Sequence, residues 1–334
     1  MRIEITLVGT GLLALWTAGC QATEPRAGAG AGDRTAVERA EGARAEAETA
    51  PVLPEAAGAV VAEASAPEHA PAVDAVDPAP WHHKPGFVSF LEDGRLWVFQ
   101  EGSEELAAYR ADGELAKHVT RPGGGPGGLT IKAPDAETIL AYRGAREGFF
   151  TAVEDGRLWV FREGSAELEE FRRSGEPAKQ VIRPGAGPGG VTLKGPDSET
   201  LLAYQAARPG FATRVVDGRV WVFREGSPEQ AAFEASGPPA VHATRVGAGP
   251  GGSTIKGPDG ETLLEFVAAC EGFVTLLEDG RVWVFRAGSP ELEEFQEQGE
   301  LAKHVIRPGA GPLGLTIKGP DAETLTLYSF AIGS

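Results

Sequence analysis

A unit of 62 residues is repeated four times along this chain, and this repetition constrains the fold more than any other feature. The clearest markers are the tryptophans of the pattern Asp-Gly-Arg-(Leu/Val)-Trp-Val-Phe, namely Trp97, Trp159, Trp221 and Trp283. The copies align without a gap as 84–145, 146–207, 208–269 and 270–331, with the last three residues assigned to the fourth copy, 270–334. Self-similarity at a fixed period indicates that each copy is one structural unit packed on its neighbours.

The first half of the unit predicts a β-hairpin followed by a short helix. In the second copy, Asp155 and Gly156 supply the two-residue turn with positive φ that a tight hairpin requires. Ser165 is placed to cap the helix start, and Gly175 suits the helix exit. The third and fourth copies have proline directly after the equivalent serine, which favours the first position of a helix.

The second half of the unit predicts another hairpin and another helix. In the second copy the strands lie within 179–194, around a glycine-rich loop, and Asp197 is placed to cap the helix that follows. The unit is therefore ββα twice over, which predicts the α+β class. Each second helix ends directly at the next Gly-Phe pair, so we expect four tandem ββαββα modules in a linker-free repeat array.

A four-bladed β-propeller is the alternative architecture, because four copies of four strands could also supply four blades. The Ser-Pro pairs and the glycines at the helix exits count against it. Proline and glycine in these places punctuate helices, and they would interrupt the strands of a blade. The array of α+β modules is the leading prediction.

The N-terminus has the pattern of a secretory signal. The apolar stretch at 5–15 is too short to span a membrane, and small residues follow it. These small residues and Cys20 resemble the lipobox of bacterial lipoproteins, although Thr17 stands where that family usually has leucine. The resemblance implies a signal peptide of residues 1–19, a lipid on Cys20 that anchors the chain to a membrane, and a location in the cell envelope. Gln21 in the next position implies the outer membrane.

Composition restricts the segment before the repeats and the partners of the whole chain. Residues 20–83 are rich in alanine, glutamate and proline and poor in large apolar side chains, which predicts a disordered tether. The net charge of −17 argues against a nucleic-acid partner, because long-range repulsion opposes the encounter. The cysteines are Cys20 and Cys270, too few for a disulfide framework.

The predicted register of the first hairpin places aromatic and charged side chains on one face of the sheet. In the first copy Phe90 pairs with Trp97 and Glu92 with Arg95, and Lys132 joins them from the second hairpin. The opposite face is small and apolar and is expected to lie under the helices. Tryptophan beside arginine and lysine on an exposed sheet can stack on a sugar ring or hold an anion. The alternative is that the tryptophans pack against the adjacent module. The candidate ligand face comprises Arg95, Trp97, Lys132, Arg157, Trp159, Lys194, Arg219, Trp221, Lys256, Arg281, Trp283 and Lys318.

Two further patterns have structural explanations. The Gly-Ala-Gly-Pro-Gly-Gly loop precedes a strand, whereas a phosphate-binding loop opens a helix, so a hairpin connection is predicted. His118, His242 and His304 share one module position that is Gln180 in the second copy, so we assign no catalytic base there. The sequence shows no Ser/His/Asp spacing, nucleotide motif or Cys/His cluster, so no catalytic residue, metal or cofactor is expected.

These features favour a non-enzymatic, envelope-anchored tandem-repeat lipoprotein. Repetition usually provides avidity or reach, so the modules are expected to present repeated binding or scaffolding surfaces. The partner would be a glycan, a cell-wall component or a protein, in addition to the membrane that holds the lipid. The alternative is a carbohydrate- or peptidoglycan-directed binding protein or hydrolase.

Overall fold

The computed structural model describes residues 80–333, and the four modules belong to one compact unit. The predicted signal peptide (1–19), the lipidation site Cys20 and the tether as far as residue 79 lie outside the described residues. Within 80–333, no helix combines the length and the apolar character needed to cross a membrane.

The described residues form sixteen strands and eight α-helices. The strands are β1 (Phe87–Glu92), β2 (Arg95–Gln100), β3 (Val119–Arg121), β4 (Thr130–Ala133), β5 (Phe149–Glu154), β6 (Arg157–Arg162), β7 (Val181–Arg183), β8 (Leu193–Gly195), β9 (Phe211–Val216), β10 (Arg219–Arg224), β11 (Ala243–Arg245), β12 (Ile255–Gly257), β13 (Phe273–Glu278), β14 (Arg281–Arg286), β15 (Val305–Arg307) and β16 (Thr316–Gly319). The helices are α1 (Glu104–Asp112), α2 (Ala136–Gly144), α3 (Ala166–Ser174), α4 (Ser198–Ala206), α5 (Pro228–Ser236), α6 (Gly260–Ala268), α7 (Pro290–Gln298) and α8 (Ala322–Gly333). Short 3-10 turns lie at Pro80–His82, Pro126–Gly128, Pro188–Gly190, Pro250–Gly252 and Pro312–Gly314.

Every module has the predicted order ββαββα, and its four strands form one mixed sheet. In the first module the strand order is β1-β2-β4-β3, in which the parallel pair β2–β4 joins two antiparallel hairpins. The same order recurs in the other three modules. The fold class is therefore α+β, as predicted. Among the described residues no sheet closes on itself, so the propeller alternative is not favoured.

The Asp-Gly pair of each copy forms the predicted two-residue turn. In the first module Asp93 has φ 48° and Gly94 has φ 70°, the left-handed backbone that suits a tight hairpin. The pairing that follows is Phe90 with Trp97 and the adjacent glutamate with arginine across the turn. The predicted turn and register are confirmed.

The predicted helix caps are also present. The Ser165 hydroxyl accepts a hydrogen bond from the backbone N–H of Leu168, and the Asp197 carboxylate accepts one from the N–H of Thr200. Gly175 ends α3 with φ 77°, in the left-handed region. Local sequence signals therefore set where the helices begin and where α3 ends.

The two helices of a module cover opposite faces of its sheet, which corrects the prediction that both lie on the small apolar face. In the first module α2 packs Ile139 against Leu96, whereas α1 packs Leu106 and Tyr109 against Trp97. The central strand β2 reads Leu-Trp-Val-Phe, so both of its faces are apolar. Each face therefore requires a cover that removes it from water.

Adjacent modules pack directly on one another. The Tyr204 hydroxyl of the second module donates a 2.7 Å hydrogen bond to the carbonyl of Gly144, which ends α2 in the first. In the next interface, Leu202 of α4 belongs to the same core cluster as Val220 of β10. The linker-free array is confirmed.

The fourth module contacts the first, so the array returns to its start. Helix α8 packs against the 3-10 turn at 126–128, where a Cβ at Gly128 would lie 2.7 Å from the Leu327 side chain. An ion pair of 2.7 Å joins Lys84 Nζ to Glu271 Oε1 across the same contact. As a result, the four modules surround a shared cavity.

The last residues of the segment predicted to be a tether are ordered. Pro80–His82 forms a 3-10 turn, and the His82 carbonyl accepts hydrogen bonds from Tyr142 (2.9 Å) and from Ser89 (3.2 Å). The first of these bonds is the counterpart of the Tyr204 bond to Gly144. The turn therefore covers the first module in the way that a preceding helix covers the others.

Candidate functional site

The predicted ligand face is assembled by the sheet, but its tryptophans are not accessible. Trp159 is 1% exposed, packs against Leu168 and Phe171 of α3, and donates a 2.7 Å hydrogen bond to Glu154. The same position is buried in the other copies, at Trp97, Trp221 and Trp283. The first helix of the same module covers each tryptophan, whereas the sequence predicted that the tryptophans would face either solvent or the neighbouring module. This corrects both.

The charged members of this face surround the closed aromatic layer. The lysines place Nζ 3.9–5.1 Å from the centroids of the tryptophan rings, at Lys132, Lys194, Lys256 and Lys318. The arginines beside the hairpin turns are exposed, at Arg95, Arg157, Arg219 and Arg281. Because the indole faces are occupied by lysine and by the helix, this face offers no ring on which a sugar can stack.

The repeated histidines belong to the same layer. Their rings lie 4.9–5.1 Å from the tryptophan rings, at His118, His242 and His304. In the second copy the amide of Gln180 instead donates a 2.9 Å hydrogen bond to Glu176. These histidines therefore lie against the tryptophan rings, with His118 and His304 themselves exposed to solvent.

A cavity of ≈ 690 Å³ lies where the four modules meet. All four modules contribute to its lining, through the ends of the second helices, the first residues of each module and the glycine-rich loops of the first three. The volume lies within the roughly 300–1,000 Å³ that small-molecule sites occupy. Closure of the array thus creates one site per chain from four similar modules.

Four cations and one carboxylate line this cavity. The cations are Lys84, Arg143, Arg146 and Arg208, and the carboxylate is Glu271. The lining therefore carries an excess of positive charge, although the chain as a whole has a net charge of −17. This local reversal of sign distinguishes the cavity from the rest of the molecule.

Lys84 is the most buried of these cations, with 8% of its surface exposed. Its ammonium pairs with Glu271 at 2.7 Å and lies 4.7 Å from the centroid of the Tyr142 ring. Burial lowers the pKa of Lys84, and the carboxylate of Glu271 opposes this effect. Lys84 and Glu271 thus neutralise one another at the contact between the first and fourth modules.

Arg208 stabilises a helix end. Its Nη1 donates hydrogen bonds of 2.8–3.2 Å to the carbonyls of Phe266, Val267 and Ala269, at the end of α6. The last carbonyls of a helix lack the usual partners further along it, and of these three only Phe266 receives a backbone hydrogen bond, from the N–H of Ala269. A cation also offsets the negative helix terminus. Burial lowers the pKa of Arg208, but a guanidinium stays protonated in proteins.

The remaining two cations have no carboxylate partner among the described residues. The Arg146 guanidinium lies 5.0 Å from the centroid of the Tyr204 ring, and its Nε is buried without a hydrogen-bond partner. The Arg143 side chain forms no hydrogen bond and no ion pair within 4.0 Å with any other residue of 80–333. Burial and then the charge of Arg121 lower the pKa of Arg143, and the charge of Glu271, which is too distant for an ion pair, opposes them. Arg143 and Arg146 are therefore the groups in this cavity that an incoming anion could pair with.

The fourth module departs from this pattern. At the position of Lys84, Arg146 and Arg208 it has Cys270, a free thiol whose pKa burial raises to about 11. Helix α8 also adds apolar side chains to the lining, at Leu327, Phe330 and Ile332. The first three modules therefore contribute the cations of the lining, whereas the fourth contributes apolar side chains and the carboxylate of Glu271.

The glycine-rich loops are hairpin connections, but they also form the contacts between modules. Gly127 has φ 62°, and a Cβ there would lie 2.9 Å from the carbonyl oxygen of Gly272 in the fourth module. Gly189 of the second module would place a Cβ 2.7 Å from Arg143 Nη1 in the same way. Glycine is required at 127, where the contact is with backbone, whereas at 189 the end of the Arg143 side chain could move aside.

Comparison with protein-family models, with curated proteins and with solved structures finds no match to this chain. Within 80–333, no group of three or more histidine, cysteine, aspartate or glutamate side chains could hold a metal ion.

The cavity was missed at the level of sequence, although one signal was available. The copies differ at their first residue, where lysine, arginine, arginine and cysteine follow one another at 84, 146, 208 and 270. These first residues, which differ between otherwise similar modules, are the ones that face one another across the shared cavity. Only the contact between the first and fourth modules reveals that they do so.

Proposed function

We propose that this protein is a non-enzymatic binding protein of the cell envelope that holds one small anionic ligand in the cavity shared by its four modules. The lipid anchor on Cys20 and the tether would hold the modules near the membrane, as the lipobox-like N-terminus implies. The protein would thus bind its ligand at one site per chain and not at the four repeated surfaces expected from the sequence. A carboxylated or phosphorylated cell-wall fragment would be one ligand of this class.

The observation that carries the proposal is the presence of Arg143 and Arg146 in the cavity without carboxylate partners. A partly desolvated cation interacts with an anion more strongly than a fully hydrated one does, because the surroundings screen it less. Arginine also presents donors in a fixed fork that fits carboxylate and phosphate oxygens. An anion in the cavity would supply the partner that both guanidinium groups lack.

The test is titration of the full chain with inorganic phosphate, citrate and N-acetylmuramic acid by isothermal calorimetry. We expect at least one probe to bind with one site per chain, and the affinity to fall as salt is added. In Arg143→Gln the affinity should fall about tenfold or more, because a charge-assisted hydrogen bond contributes about 1.5–3 kcal/mol. Glutamine already occupies the equivalent position in the second module, at Gln205.

The matched control is Arg157→Gln, which removes an exposed arginine outside the cavity. It should bind the probes as the unmodified chain does. Absence of saturable binding by all three probes, or equal losses in both variants, would contradict the proposal.

Cys270 provides a second readout that needs no ligand. Because the thiol lines the cavity, alkylation by the anion iodoacetate should be favoured over neutral iodoacetamide relative to a free thiol in solution. Mass spectrometry of the peptide that contains Cys270 measures both rates at pH 9. Arg143→Gln should reduce the preference and Arg157→Gln should not; a preference equal to that of the free thiol would show that the cavity does not attract anions.

A further inference from the structure

The fourth module contributes a surface to the cavity that none of the other three provides. Its last helix, α8, has 12 residues, whereas α2, α4 and α6 have 9 each. Ile332 lies in the added length and occupies the position equivalent to Arg146 and Arg208. At this position the end of α8 therefore has an isoleucine side chain where the ends of α2 and α4 are followed by arginine. Phe330 is the ninth residue of α8, where the other second helices end in a small residue, at Gly144, Ala206 and Ala268.

Phe330 is the least buried part of this surface. Its side chain is 72% exposed although it lines the cavity. An exposed phenylalanine gains nothing from the hydrophobic effect in the unbound protein, and a ligand that covers it would recover that free energy. Leu327, one helical turn earlier, lines the same cavity and extends the apolar surface.

We infer that the ligand is an amphiphilic organic anion, with a carboxylate or phosphate head and a hydrocarbon portion. The head would pair with Arg143 and Arg146, and the hydrocarbon portion would cover Leu327, Phe330 and Ile332. The inference rests on the proposed function, since it specifies the ligand of the same cavity. A purely inorganic anion would leave Phe330 in water, and a purely apolar ligand would leave the guanidinium groups unpaired. Only a ligand with both parts contacts the whole lining.

The size of the site is compatible with such a ligand. A cavity of ≈ 690 Å³ exceeds the volume that one inorganic ion and its first hydration shell require, since a water molecule occupies about 30 Å³ in the liquid. A medium-chain carboxylate fills more of this space and buries more apolar area. Each methylene that is fully removed from water should tighten binding about fourfold.

The experiment measures how affinity depends on chain length in the full chain. Acetate, butanoate, hexanoate and octanoate are titrated in turn, with 1-octanol as the uncharged counterpart of octanoate. We expect octanoate to bind at least about fivefold tighter than hexanoate and far tighter than acetate. Octanol should bind much more weakly than octanoate because it lacks the charge.

Two variants separate the two halves of the site. Phe330→Ala should flatten the dependence on chain length while leaving the affinity for inorganic phosphate unchanged. Arg143→Gln should weaken every anion and leave the dependence on chain length intact. Val246→Ala, at an apolar residue that is 85% exposed and lies outside the cavity, should change neither. Substitutions at exposed positions such as Phe330 and Val246 cost little stability, and thermal melting of each variant checks that it is folded.

The outcomes distinguish this inference from the proposed function. If inorganic phosphate or acetate binds as tightly as octanoate, the amphiphile inference is wrong and the anion-binding proposal stands. If octanol binds as tightly as octanoate, the cavity is an apolar site, and both are wrong. If no probe binds, neither charged nor hydrocarbon groups are recognised, and both are again overturned.

Discussion

At the scale of single residues, the tryptophan of each copy acts as a core residue. Trp159 is 1% exposed, stacks near Phe161, and satisfies its indole N–H with Glu154. Lys194 places its ammonium 3.9 Å from the centroid of the same ring. Every face of this side chain therefore has a partner within its own module, which makes it a determinant of stability.

Replacing Trp159 with alanine tests this assignment. We expect a loss of about 3–5 kcal/mol in the free energy of unfolding, as for other buried aromatic residues, because the helix α3 cannot collapse fully into the space. Urea denaturation of the full chain measures the loss. Arg157→Ala, two residues earlier in the same strand and exposed, should cost under about 0.5 kcal/mol. Similar midpoints for the two variants would mean that the indole contributes no packing.

At the scale of elements, each module depends on capped helices of nine residues in all but the last case. Helices this short are marginal in isolation, so their ends must be defined by side chains and their faces by packing. In the second module Asp197 accepts hydrogen bonds from both the backbone N–H (2.7 Å) and the hydroxyl (3.0 Å) of Thr200. The equivalent aspartates accept the same backbone bond at Asp135, Asp259 and Asp321, and the last two also accept the hydroxyl bond.

The cap at Asp197 can be tested by two substitutions that differ only in capping ability. Asp197→Ala should lower the free energy of unfolding by about 1 kcal/mol, because the first turn of α4 loses its acceptor. Asp197→Asn keeps an oxygen in that position and should lose less than half as much. Denaturant melts of the full chain provide the comparison. If both variants lost the same amount, the carboxylate charge would matter and the hydrogen bond would not.

At the scale of the whole array, the contact between the fourth and first modules creates the cavity. Three features meet there: the ion pair of Lys84 with Glu271, the packing of α8 on the turn at 126–128, and the close approach of Gly127 to Gly272. None of these pairs is near in sequence. The contact therefore depends on the packing of whole modules, and it decides whether the cations of different modules share one volume.

A pair of glycine substitutions tests the closure. Gly127 and Gly251 occupy the same module position with φ 62° and 60°, but a Cβ on Gly127 meets the Gly272 carbonyl at 2.9 Å, whereas Gly251 has nothing within 4 Å. Alanine at either site costs about 1–2 kcal/mol for left-handed backbone. Gly127→Ala should lose more, because it also separates the first module from the fourth.

Hydrogen exchange gives the specific readout. Amides of α8 should exchange faster in Gly127→Ala than in Gly251→Ala, because only the alanine at 127 meets the fourth module. Leu313 shows that a side chain is tolerated at this position where space is open, since it has φ 55° in the fourth module. Identical behaviour of the two variants would mean that the glycine contact does not hold the array closed.

The sequence by itself determined the local structure of each module. The Asp-Gly turns, the serine and aspartate caps and the proline at the start of α5 and α7 act within a few residues, so their consequences follow from backbone sterics and short hydrogen bonds. The pairing of Phe90 with Trp97 follows from the turn in the same way, because a two-residue turn sets the register of both strands. The period of 62 residues likewise determined that these units recur and touch.

The tertiary structure alone decided which helix covers which face and where the modules meet. Alternation along β2 yields two apolar faces, and nothing within the strand states that α1 takes the Trp97 side and α2 the Leu96 side. Lys84, Arg143 and Arg208 are far apart in the chain, and they line one cavity only because the fourth module returns to the first. Such positions depend on the summed packing of distant segments, whereas turns and caps depend on neighbouring residues. For this reason the modules could be predicted and the site that they share could not.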